Sequence, residues 1–138
     1  MSQTRMIVLK GIVSVAMVIG LAIPAWASVD DLGCTPGFWK QDQHFGHWVT
    51  YTPDDVFDVV FGVGSPEFLY DALRAKGGGE RALMRHAVAA ILNAENPTVN
   101  FLLTPQEVIS IVQLAYGTED FESAKNLLEL ANDEGCPL

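Results

Sequence analysis

Positive charge is what this chain has least of. Eight Lys and Arg stand against 17 Asp and Glu, a formal net charge of −9. Such a balance repels phosphate backbones and anionic lipid, so nucleic acid and membrane surfaces are poor partners. Cysteine is nearly absent too, with two residues. The longest apolar run, Gly11 to Ile23, has 13 residues, short of the roughly 20 that a membrane-spanning helix needs. No stretch alternates apolar and polar residues, so strands are not expected beyond a short pairing near Val49 or Val99. G-x-S-x-G is missing. Gly77-Gly78-Gly79 lacks the lysine and spacing of a phosphate-binding loop and reads as a flexible turn.

What is present begins with an address. Arg5 and Lys10 precede the apolar run; Pro24 and the A-x-A site Ala25-Trp26-Ala27 follow it. Charge, short apolar core and small-residue site in that order read as a secretory signal peptide over 1–27. The processed chain is then 28–138, one exported, soluble domain, periplasmic or secreted. Two of the eight basic residues lie in 1–27 and none of the acids does. Six bases therefore remain against 17 acids, net −11. In an exported protein an even pair of cysteines predicts a disulfide, here Cys34 to Cys136, tying the termini together. Asp30 and Asp31 separate Cys34 from the apolar run, so it is not a lipid-attachment cysteine.

From Ser28 to Tyr51 the pattern is irregular and aromatic, with Phe38, Trp39, Phe45, Trp48 and Tyr51. Thr35-Pro36-Gly37 reads as a turn with glycine at positive φ. Five helices follow. Thr52-Pro53-Asp54-Asp55 predicts a start before Val56–Phe61, with Gly62 as its end. Ser65-Pro66-Glu67 predicts a second start, with Phe68, Leu69, Ala72 and Leu73 on one face. Glu80 to Ala94 is apolar almost all round and should be the central helix, ended by Asn96-Pro97. Thr104-Pro105-Gln106-Glu107 is a capping box opening a helix that Gly117 closes. Thr118 can cap the last, through Phe121, Ala124, Leu127, Leu128 and Leu130. The expectation is all-α: a compact bundle of about five short helices, an irregular N-terminal segment, and termini joined by the disulfide.

Chemistry-bearing residues concentrate in Gly33 to Tyr51. His44-x-x-His47, with Asp42 nearby, offers two imidazoles and a carboxylate to a metal. Alternatively, the aromatics pin the segment onto the helices while the histidines bond the backbone. A third reading is a sugar- or peptide-contact surface, which needs Trp39 or Trp48 exposed. Elsewhere, His86 reads as a hydrogen-bonded core residue and Arg85 as the partner of a carboxylate. Ser65 is better explained as a helix cap than as a nucleophile.

Gly33-Cys34-Thr35-Pro36-Gly37-Phe38-Trp39-Lys40 resembles the G-C-T-P-G-[FY]-W-K signature of a module in exported bacterial proteins. Leu83 to Ala94 resembles its L-x-R-x-A-V-A-A-L-L-N-A helix, and Asn132 to Leu138 fits its cysteine-bearing end. Where many relatives continue with Asn-His, this chain has Gln41-Asp42. The resemblance covers nearly all of 28–138. It implies a secreted or cell-surface setting beside other extracellular domains, and carries no activity with it.

These readings converge on a non-enzymatic structural or interaction domain that binds a protein, matrix or glycan partner. Its candidate contact residues are Trp39, Lys40, His44, His47, Trp48 and Tyr51, and no cofactor is expected. The alternative is a small secreted metal-dependent or hydrolytic enzyme using His44, His47 and an acid.

Overall fold

The order of elements follows from where the backbone finds caps. The computed structural model describes residues 31–138, and the predicted signal peptide lies outside them. Six α-helices and one 3₁₀ helix form among the described residues: α1 Pro36–Trp39, the 3₁₀ helix Asp42–His47, α2 Phe57–Phe61, α3 Leu69–Leu73, α4 Glu80–Glu95, α5 Pro105–Thr118 and α6 Phe121–Asn132. The fold is all-α, and Cys34–Cys136 joins its ends with Cα atoms 4.5 Å apart.

Helix α4 is the centre, as its all-round apolar sequence predicts. It touches α1, α3, α5 and α6. Leu83, Ala87, Val88, Ala89, Ala90 and Ile91 are fully buried, among Trp39, Phe57, Phe61, Leu69, Val108 and Leu128 from the surrounding elements. A helix covered on every side presents no solvent face, hence the missing polar stripe.

Several caps match the sequence. Thr104 accepts from Glu107 N, and the Glu107 side chain returns the bond to Thr104 N at 2.9 Å. Gly62 ends α2 in the left-handed region at φ 71°, its N–H donating to Asp58 O. Asn96 caps the end of α4.

Other starts move. Thr35 caps α1 instead of opening a turn, because Pro36 at the first helical position and the Thr35 hydroxyl together favour a helix; Gly37 is helical. Helices α2 and α3 begin later than Thr52 and Ser65 predict. An isolated bridge pairs Val56 with Phe68, and Phe57 N–H donates to Glu67 O while Leu69 N–H donates to Asp55 O. This extended pairing occupies what would be the first helical turns, and the Ser65 hydroxyl turns to Glu67. The second bridge is Gly33–Gly135, so neither bridge falls at Val49 or Val99; next to Val99 a single backbone bond, Leu32 N–H to Asn100 O at 2.8 Å, joins the N-terminal segment. Helix α5 continues through Gly117 to Thr118 and stops at Glu119, at φ 61°. Thr118 gives its hydroxyl to Leu114 O, and Asp120 caps α6 through Ser123 N.

Among the described residues Arg85 takes no carboxylate. Its guanidinium donates to Ala75 O at 2.7 Å and Gly77 O at 2.9 Å. The carbonyls after α3 lack helical partners and need donors, so Arg85 closes the glycine turn.

Candidate functional site

The signature residues meet in the core. Asn93, in the last turn of α4, is 0 % exposed. Its carbonyl oxygen accepts from Cys34 N at 2.9 Å and Trp39 Nε1 at 3.1 Å. Its amide nitrogen donates to Cys34 O at 2.8 Å and Asn132 Oδ1 at 2.9 Å. One carboxamide thereby fills all four of its hydrogen-bonding positions. Asn132, equally buried at the end of α6, donates to His86 O at 3.1 Å and faces His86 Nδ1 at 3.4 Å. The chain of bonds runs from the N-terminal segment through α4 to α6, and the Cys34–Cys136 bridge joins the same two ends.

Gly33 belongs to this latch by necessity. A Cβ there would stand 2.4 Å from Ala131 O, and Gly33 N–H donates to Gly135 O at 2.9 Å. Only glycine lets the two chain ends approach so closely.

His86 is a bonded core residue, as expected. Burial holds its imidazole below the ordinary histidine range; Glu129 and Asp133 oppose this, while Arg85 and Lys125 add to it. The facing amide of Asn132 suits a neutral Nδ1 acceptor, so protonation would cost a hydrogen bond as well as desolvation.

The six candidate contact residues divide. Trp39 is 0 % exposed, and its indole N–H is spent on Asn93; it is a core residue and offers no surface to a partner. Lys40 and His47 are exposed, whereas His44, Trp48 and Tyr51 are half-buried. His44 stacks on Phe38 with ring centroids 3.8 Å apart, and His47 stands 6.0 Å from His44. The imidazoles engage an aromatic ring rather than backbone groups. Phe45 meets Trp48 and Tyr70 edge-on, at 5.6 and 5.4 Å. Burial raises the Tyr51 hydroxyl above its ordinary range, helped by Glu95 and Asp55. Asn96 anchors the whole segment by donating to His47 O at 2.9 Å.

Asp42 does not join the histidines. Among the described residues no three His, Cys, Asp or Glu side chains converge to hold a metal, and a zinc site needs three or four protein ligands.

The aromatic segment instead borders a feature absent from its sequence pattern. An open cleft of about 630 Å³ is lined by Lys40, Gln41, Asp42, Gln43, Arg74 and Lys76. Arg74 and Lys76 lie more than 30 residues along the chain from Lys40 and come from the end of α3. No local spacing announces that meeting. The Arg74 guanidinium rests over the Tyr70 ring, 4.9 Å from its centroid. Asn93 had a readable signal: a lone amide in an otherwise apolar helical stretch.

Comparison of the chain with protein-family models, with curated proteins and with solved structures finds no match in any of the three.

Proposed function

We propose that this chain is an exported bacterial interaction domain, non-enzymatic, which holds a protein, matrix or glycan partner outside the cell or at its surface. One observation carries the reading. The disulfide and the Asn93 bonds fasten the N-terminal segment to the helical core, so the rim beside it is preorganised. A rigid rim loses little conformational entropy when a partner docks. Trp48 and Tyr51, half-buried, offer ring area there, and Lys40 and His47 of the same segment are exposed. Trp and Tyr rings of this kind are the usual anchors of an interface.

The setting rests on the signal-like residues 1–27 and on a disulfide, which persists in oxidising compartments. Among the described residues no helix is long and apolar enough to cross a membrane.

The test is co-sedimentation of the oxidised, processed chain with the envelope and matrix fraction of its producer. Saturable retention, competed by unlabelled protein, is the expected result. Absence of retention would contradict the reading.

A further inference from the structure

We propose that the Lys40–Arg74–Lys76 cleft binds an acidic polysaccharide, one whose sugars carry uronate carboxylates. This deepens the functional reading above and rests on it.

The argument begins with an account of cations. Residues 28–138 hold six: Lys40, Arg74, Lys76, Arg81, Arg85 and Lys125. Arg81 pairs with Glu67 at 3.6 Å and donates to Lys76 O. Arg85 is spent on two carbonyls of the glycine turn. Lys125 pairs with Glu129 at 3.0 Å. The other three have no carboxylate partner among the described residues, and all three line one cleft. Three bases and a single acid, Asp42, surround it. That inverts the balance of the whole chain.

The cleft is also prepared for a planar anion. Tyr70 supports the Arg74 guanidinium from one side, leaving its edge to take a carboxylate in two parallel hydrogen bonds. Lys40 extends from the end of α1, immediately after the buried Trp39. Gln41 donates to Gly37 O at 2.9 Å, and Gln43 donates to Gln41 Oε1 at 2.8 Å. This leaves the Gln43 carbonyl and the Asp42 carboxylate to accept from hydroxyls. Cations for carboxylates beside amides and an acid for hydroxyls are what a uronate chain requires. An acidic peptide spaces its donors along its own backbone, whereas each uronate sugar carries hydroxyls beside its carboxylate, as these acceptors lie beside the cations. Nucleic acid carries a charge every ~1.7 Å of duplex and would meet the acidic remainder of the surface. For a sparser polyanion, repulsion from that remainder is screened beyond about 8 Å at physiological salt.

The experiment titrates the processed, oxidised chain with polygalacturonate at about 0.15 M salt, with neutral dextran as control. The expected result is saturable binding that weakens as salt rises, with dextran inert. The triple variant Lys40→Gln, Arg74→Gln, Lys76→Gln should lose at least tenfold in affinity, and Lys125→Gln should lose none. Lys40→Glu should lose at least threefold; Lys40 is exposed and its side chain makes no hydrogen bond or ion pair among the described residues, so its fold is not at stake. Double-stranded DNA should not compete. No binding by the parent chain, equal binding by the triple variant, or competition by the duplex would each overturn the proposal. The triple variant also goes through the envelope sedimentation. Retention equal to the parent's would overturn the cleft alone. Polygalacturonate binding without any envelope retention would instead overturn the functional reading and leave the cleft's chemistry standing.

Discussion

Trp39 and Trp48 lie nine residues apart in one aromatic segment, yet they belong to different parts of the molecule. Trp39 is fully enclosed and hydrogen-bonded to Asn93. Trp48 is half-buried, with a long 3.4 Å bond to Trp39 O. The first belongs to a latch that fixes the fold. The second stands on a rim that the latch holds in place. A shared motif and shared aromatic character therefore say little about shared work, because the location of the indole N–H partner separates the roles.

The sharpest way to break this contrast is to remove the centre of the latch. Asn93→Ala orphans Cys34 N and O, Trp39 Nε1 and Asn132 Oδ1. Each buried orphan costs about 1–3 kcal/mol, so a loss of about 4 kcal/mol or more is expected in urea unfolding. A loss under about 1 kcal/mol would mean that water or repacking replaces the amide.

Next comes the bridge. Cys34 and Cys136 close a loop of sequence separation 102, for which chain entropy gives about 4.7 kcal/mol, an upper value in a disputed model. Replacing both by Ser should cost about 3 kcal/mol in the same measurement. Part of the loss should be absent from the Asn93→Ala background, since the two devices hold the same chain ends.

A smaller effect concerns pH. The folded His86 titrates below its unfolded value because it is buried. The unfolded chain therefore takes up the proton first as pH falls. Stability from this group is complete above about pH 6.5 and declines below it, until the folded imidazole itself titrates. Unfolding midpoints at pH 7 and pH 5.5 should show the decline, and His86→Gln should flatten it. Glu129, held below the usual carboxylate range by its hydrogen bond from Lys125, stays ionised across that interval.

At the far end of the scale, Leu130 is 68 % exposed on α6. Leu130→Gln should change stability by no more than about 0.5 kcal/mol. A larger loss would mean that this face is covered in solution, which size-exclusion chromatography would reveal.

Much of the architecture is legible in the sequence because local chemistry decides it. The Thr104–Glu107 capping box, the Gly62 stop and the all-round apolar α4 each depend on residues within one or two turns. The Cys34–Cys136 pairing was readable from cysteine number and setting. What sequence spacing misplaces is decided at a distance. The Val56–Phe68 bridge delays two helix starts, and the carbonyls of the glycine turn draw Arg85 away from the acids. The candidate site divides in the same way. Sequence points to the segment around Lys40, but Trp39 lies in the core and the cleft's other cations arrive from the end of α3. Which side of an aromatic faces solvent depends on what packs against it, and no periodicity in a 3₁₀ segment encodes that.

The measurement that bears most directly on the account is parallel urea unfolding of Trp39→Phe and Trp48→Phe. Both variants shorten an indole to a phenyl and remove one N–H. The account predicts that Trp39→Phe costs about 2 kcal/mol or more, through a cavity and an unsatisfied Asn93 oxygen, while Trp48→Phe costs under about 1 kcal/mol. Equal losses, or a larger loss at Trp48, would contradict the division between latch and rim.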